Sequence, residues 1–383
     1  MTVIVDQFQR IPYEPARDGR VEMHSGLSRH YPTLHANLVA PREHDRSIGI
    51  VMAHPASDFL SHFLLRGFAE AGIPSLGVNT RYTSNEPALI MERAALDVGA
   101  AVRWMKDRLG FERVLLLGFS GGGSLAAFYQ DQAENRSVTH TPAGDPTGFA
   151  DADLPPADGL MLIGAHPGRA HVLRHWIDPT PMSESEPLEL DPRLDLYAPV
   201  RATPLDRDWV LEYRQAQLDR MRRIDAMAFE RLAELERTGD SDRGFVVHRT
   251  VADPRFVDVT LDPSDRAPGS MYGDPARANT AAGGLARFVT VRSWLSTWSI
   301  DHTNADALRN LPGVTCPTLV MPLLGDQAAF ASESRAMHAA LTNAPATLVE
   351  VPELNHYLVD QPHGVSHVTG EVRTWLAGHA LAA

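Results

Sequence analysis

The stretch RVLLLGFSGGGSLAAFYQ, residues 113–130, runs from a continuous apolar segment into glycine, with one hydroxyl, Ser120, at the turn. The apolar run reads as a strand buried on both faces, and the residues from about 121 to 133 read as a helix. A strand that turns straight into a helix pushes the residue at the bend into a strained backbone conformation. Side chains two positions away on either side would collide there, and both positions are glycine, Gly118 and Gly122. The pattern Gly118-Phe119-Ser120-Gly121-Gly122 is G-x-S-x-G in a strand–turn–helix setting. It aims the Ser120 hydroxyl out of the carboxyl edge of a sheet, at a helix N-terminus whose free N–H groups favour developing negative charge. A phosphate-binding reading fails. No Lys-Ser/Thr follows the glycines, and no three of them have the G-x-G-x-x-G spacing.

Outward from this turn, short apolar runs alternate with helical patterns. IGIVMA (48–53) precedes a helix over 59–72, IPSLGVN (73–79) precedes one near 87–109, and GLMLIGA (159–165) is a further strand. PTLVMPL (317–323), a helix over 332–342, ATLVEV (346–351) and a helix near 364–380 close the chain. Such alternation predicts a mostly parallel sheet with helices on both faces. The pattern breaks over 166–311, where Pro, Asp and Arg become frequent, so this segment is expected to be an insertion between two strands. One long helix is readable in it, about 207–237, with Val210, Leu218, Met221, Ile224, Ala228, Leu232 and Leu235 near one face. That face packs on the insertion or, in the alternative, forms a homodimer interface.

A serine hydroxyl is inert at neutral pH without a base to take its proton and an acid to orient the base. His356 lies in the loop after the strand ATLVEV, and Asp326 in the Gly-Asp turn after PTLVMPL. Asp301 and Asp360 are weaker candidates for the acid. The oxyanion of such a reaction needs two donors. Gly121 N–H follows the serine, and the loop His54-Pro55-Ala56-Ser57 offers Ala56 N–H, with Ser57 as competitor, because Pro55 has no N–H. His166 and Arg169 leave a strand end near the same edge and are candidates for contact with substrate, as are His54 and Ser57. Trp294 and Trp298, two of the four tryptophans in the insertion beside Trp176 and Trp209, are candidates to line a pocket or to pack the insertion's own core. His171 and His175 stand i, i+4, but there is no H-E-x-x-H and no third ligand nearby, so no metal is expected. Cys316, the one cysteine, reads as a small buried hydrophobe.

With "VMAHPAS", "GFSGGG", "LLGDQ" and "ELNHYL" in this order along the chain, the chain resembles the α/β-hydrolase superfamily over residues 1–165 and 312–383. The resemblance implies an eight-stranded, mostly parallel sheet with helices on both faces and a large, mainly helical cap over 166–311. It implies a catalytic triad of Ser120, Asp326 and His356, and it excludes members with an aspartate nucleophile. The His-Pro of residues 54–55 departs from the His-Gly that many members carry. The expected activity is hydrolysis of a carboxylic ester of a small to medium, largely apolar molecule through an acyl-enzyme, with no cofactor. Carbon–carbon bond hydrolysis of a ketone or diketone, or cleavage of a lactone or thioester, would use the same residues. A non-catalytic binding protein is the remaining alternative, against which the intact Ser, Asp and His argue.

A formal net charge of −13 argues against nucleic acid or an anionic membrane surface as partner. The opening residues carry no basic segment followed by an apolar one, so a cytoplasmic protein acting on a small molecule is expected.

Overall fold

The apolar run around Leu115 forms β5 (Arg113–Ser120), near the middle of an eight-stranded sheet. The computed structural model describes residues 3–13, 30–379 and 381. The extreme residues of both core segments, and position 380 of the last expected helix, lie outside the described residues.

The other strands are β1 (Ile4–Pro12), β2 (Thr33–Pro41), β3 (Ile48–His54), β4 (Ser75–Asn79) and β6 (Gly159–Ala165). After a small hairpin of β7 (Gly244–Val246) and β8 (Phe288–Thr290) come β9 (Thr318–Met321) and β10 (Ala346–Leu348). The sheet order is β1-β2-β4-β3-β5-β6-β9-β10. From β4 to β10 all neighbours are parallel, while β2 pairs antiparallel with β1 and β4. Successive residues of β5 face opposite ways. Leu115 and Leu117 pack with Leu64, Phe68, Val368 and Val372 on one face, and Val114 and Leu116 with Val98, Leu125 and Phe128 on the other. Those partners come from the helices Phe63–Glu70 and Gly364–Gly378 on the first side, and Met91–Arg103 and Gly122–Asn135 on the second.

Two helices begin later than expected. His62 caps the first, its Nδ1 accepting from Leu64 N at 3.3 Å, and the second follows a short 3-10 turn at Glu86–Ala88.

Residues 166–311 stand between β6 and β9 and carry apolar clusters of their own. The long helix runs Arg207–Thr238, from an Asp206 cap to Gly239 in the left-handed conformation (φ 80°). Met221, Ile224, Ala228, Leu232 and Leu235 are buried, but Val210 and Leu218 are half-exposed. Buried places go instead to Tyr213, whose hydroxyl donates to Ala252 O (2.8 Å), and to Gln217, which donates to Ile177 O (2.7 Å). Polar side chains sit there because the facing segment is irregular and leaves carbonyls that need donors. Much of the segment beyond this helix is turns and short helical pieces. Ala305, Ala307 and Leu311 pack in the same apolar cluster as Val98, Leu125 and Phe128. Among the described residues no helix is long and apolar enough to cross a membrane.

Candidate active site

Ser120 closes β5 with φ 54°, in the left-handed region that a side chain rarely occupies. The β5–β6 register slips between Phe119 and Ser120, which lets the backbone break away from the ladder. Both flanking glycines are required by contact. A Cβ on Gly118 would lie 2.5 Å from Gly122 O, and one on Gly122 would lie 2.4 Å from Ala53 O. The helix Gly122–Asn135 starts at once, so its free amides face the hydroxyl.

His356 sits in the loop beyond β10, five residues after Val351, which bridges to Leu323. Its Nε2 lies 3.1 Å from Ser120 Oγ and its Nδ1 2.6 Å from Asp326 Oδ2. Asp326 is fixed in turn. Its Oδ1 accepts from Ala328 N (2.6 Å) and Ala329 N (2.9 Å), which leaves Oδ2 for the imidazole. Both His356 and Asp326 are buried. Asp301, by contrast, forms an exposed pair with Arg222, and Asp360 is exposed.

The loop after β3 differs from expectation. Ala56 N–H already has a partner. It and Ser57 N–H both donate to His54 Nδ1, at 3.2 and 2.8 Å. The reason is local: Pro55 turns the chain back over the imidazole, and Thr80 Oγ1 holds the turn by donating to Pro55 O at 2.6 Å. Burial, helped by Arg169 and His166, holds His54 well below the usual imidazole range. Burial likewise depresses His62 to about 3 and His166 to about 4.

Ser120 opens on a cavity of about 1190 Å³. From the core, His54, Ser57, Gly121 and His356 line it; from residues 166–311, Arg169, Trp176, Met271, Tyr272 and Trp298 do. Arg169 lies over the Trp298 ring at 4.6 Å and pairs with Glu86. Burial lowers the Arg169 guanidinium to about 10, still a cation at neutral pH. His166 also lines the cavity, with Nδ1 buried and without a hydrogen-bond partner among the described residues. Trp294 does not reach the cavity. Its indole donates to Asp225 Oδ1 (2.7 Å), inside the insertion's own cluster with Met221, Ile224 and Phe245. Sequence reasoning missed Trp176, Tyr272 and Glu86, which packing alone brings here. His171 turns to Asp306 (2.9 Å) and His175 to Glu333 (3.7 Å). Cys316 is half-buried against the core, its thiol pushed up to about 12 by burial.

No protein-family model matches the sequence, and no curated protein matches it. Among solved structures the chain is similar to a hypothetical protein from Pseudomonas aeruginosa at 15% identity, covering 97% of this chain and 94% of that one, with a TM-score of 0.49. It is similar to Est1E from Butyrivibrio proteoclasticus at 13% identity, over 98% of this chain and 99% of that one, with a TM-score of 0.47. It is similar to an esterase from Pyrobaculum calidifontis at 15% identity, over 99% and 86%, with a TM-score of 0.46. Independently of these likenesses, the sheet order, with Ser120 at the sharp turn after β5, is that of the α/β-hydrolase fold.

Proposed function

We propose that the chain is a serine hydrolase that cleaves a carboxylic ester of a small to medium, largely apolar molecule through an acyl-enzyme. The observation that carries this reading is the line from Ser120 Oγ to His356 Nε2 (3.1 Å) and from His356 Nδ1 to Asp326 (2.6 Å), opening on a cavity. His356 takes the hydroxyl proton as Oγ attacks the ester carbonyl, and the carbonyl π pair moves to its oxygen. Asp326 stabilises the imidazolium. Collapse of the tetrahedral intermediate breaks the bond to the alkoxy oxygen, which leaves with the proton from His356. Water, deprotonated by His356, then releases the acid and restores Ser120. Gly121 N–H is one donor to the oxyanion.

Residues 166–311 serve as a cap. Val172, Trp176, Met271 and Trp298 give the cavity apolar walls, which supports an apolar substrate held away from water. The test is hydrolysis of p-nitrophenyl esters of increasing chain length, with Ser120→Ala as control. Turnover should fall by about 10³ or more in that variant, since the three side chains act as one unit. Near-normal turnover without Ser120 would refute the mechanism. A phosphonate adduct on Ser120 without ester turnover would move the substrate to a lactone, thioester or ketone.

A further inference from the structure

We infer that His54, through its Nε2–H, is a catalytic residue: the second donor to the oxyanion, in the place expected of a loop amide. The inference rests on the serine-hydrolase reading above. Three observations carry it.

The first is the state of the ring. His54 Nδ1 accepts two backbone N–H groups, from Ala56 at 3.2 Å and Ser57 at 2.8 Å. A nitrogen that receives two donors carries no proton, so the proton of this imidazole sits on Nε2. The second is the position of Nε2. It lies 2.8 Å from the point that a Cβ on Gly121 would occupy. The ring thus packs on the residue after Ser120, and any side chain at 121 would displace it. His54 lines the cavity with Ser120 and Gly121, and Nε2 has no hydrogen-bond partner among the described residues. The third is what the loop withholds. Pro55 has no N–H, and the amides of Ala56 and Ser57 are engaged by Nδ1. The loop therefore presents its donor through the imidazole, with its own amides fixing the tautomer and the angle of the ring.

During attack the developing O⁻ accepts from Gly121 N–H and His54 Nε2–H. No bond to His54 forms or breaks, and its proton stays in place, so His54 is neither acid nor base.

The test uses two substitutions with opposite geometry. In His54→Asn, Oδ1 falls near the place of Nδ1 and can still accept the loop amides, but nothing stands where Nε2 was. In His54→Gln, the amide nitrogen falls near the place of Nε2. Losing one oxyanion donor costs roughly 10²–10³ in kcat. His54→Asn should show that loss with little change in KM, and a parallel loss of affinity for a trifluoromethyl ketone, which forms a tetrahedral adduct with serine. His54→Gln should retain distinctly more of both. A His54→Asn enzyme with normal kcat overturns the inference and, with His54→Gln impaired, would assign His54 to holding the loop; equal loss in the two variants overturns it as well. A measurement on the unsubstituted protein needs no folded variant. In ¹⁵N-histidine NMR, the His54 Nε2–H proton should move downfield when the ketone adduct forms, and an unmoved signal overturns the donor role. Absence of any phosphonate adduct on Ser120 in the unsubstituted protein overturns the hydrolase reading, and this inference with it. An adduct there with normal kcat in His54→Asn overturns this inference alone.

Discussion

Arg255→Met should loosen the attachment of residues 166–311 to the sheet, and the structure sets the size of the effect. Arg255 Nη2 donates to Glu333 (3.0 Å) on the core helix Ala331–Ala340 and to Asp253 (2.8 Å) within the insertion. Its guanidinium lies 3.8 Å from the centre of the Phe330 ring, and the residue is 6% exposed, so solvent screens little of this. Burial alone would raise the Glu333 carboxyl. Arg255, with His175, more than offsets that and holds it at about 2, against an ordinary 4.5. At ~1.4 kcal/mol per pKa unit, this difference is worth roughly 3 kcal/mol. Breaking a buried pair by removing one partner falls in the same range, ~3–5 kcal/mol. Asp253 keeps Arg214 at 2.6 Å, and Asp262, 3.4 Å from Arg255 Nη1, keeps the Ser332 hydroxyl as donor at 2.5 Å, so the charge most exposed to the loss is Glu333. Methionine keeps apolar contact with Phe330 but no charge. Calorimetry at pH 7 should give a Tm lower by roughly 6 °C, at ~2 °C per kcal/mol for a chain of this size. The sign with pH follows. In the native protein the depressed carboxyl contributes stability above about pH 4.5, lost as pH falls toward 2. In Arg255→Met burial dominates and raises the carboxyl, so the deficit should be largest at pH 7 and shrink toward pH 5. Adding Glu333→Gln removes the orphan and should recover part of the loss. A deficit under ~1 kcal/mol, one flat between pH 7 and 5, or no recovery in the double variant would refute the reasoning.

Asp326→Asn should leave Oδ1 to accept from Ala328 and Ala329 but put an N–H₂ against His356 Nδ1, forcing the imidazole proton onto Nε2, toward Ser120. The expected fall in kcat is ~10⁴ with Tm little changed, and a kcat within tenfold of normal would sink the proposed role. Burial holds His62 at about 3 and His166 at about 4, both below an ordinary 6.5. As pH drops below about 6.5 the unfolded chain takes up protons that the folded chain cannot, so stability should fall. Urea midpoints between pH 6.5 and 4.5 check this: His166→Gln should flatten the slope by ~1.4 kcal/mol per pH unit, and parallel slopes would contradict it.

The centre of the sheet was legible because parallel strands buried on both faces read as unbroken apolar runs, as Val114–Leu117 and Leu160–Ile163 do. The antiparallel edge was not. In β1 most side chains are exposed or half-exposed, Phe8 among them, so no apolar run marks it. Ser120, Asp326 and His356 were readable because each follows a readable strand, and strand ends share an edge in a parallel sheet. Of the cavity wall, His54, Ser57, His166, Arg169 and Trp298 were named from the sequence, but Glu86, Trp176 and Tyr272 were not, since they are far apart in the chain and meet only through the packing of 166–311 on the core. Trp294 and Trp298 show the limit of spacing: four apart in one short helical segment, one serves the insertion's core and the other the cavity. For His54 the sequence narrowed the choice by excluding Pro55. What it could not give was the direction of two amides, which depends on how the turn folds over the ring.

The three imidazoles around Ser120 show why neutral donors suit this edge. His54, His62 and His166 each feel His356 electrostatically, and each is held below the usual range chiefly by burial. In the proposed reaction His356 becomes an imidazolium while negative charge grows on the carbonyl oxygen. A charged histidine nearby would help the oxygen but oppose the imidazolium. For unit charges about 6 Å apart at an effective dielectric near 20, that opposition is ~3 kcal/mol, about two decades of rate. A neutral ring that offers one fixed N–H avoids the conflict, because its dipole acts over a hydrogen-bond length and adds no net charge at His356. Burial thus serves the chemistry twice at His54. It keeps the ring uncharged through the neutral pH range, and it strengthens the one hydrogen bond that the ring can give.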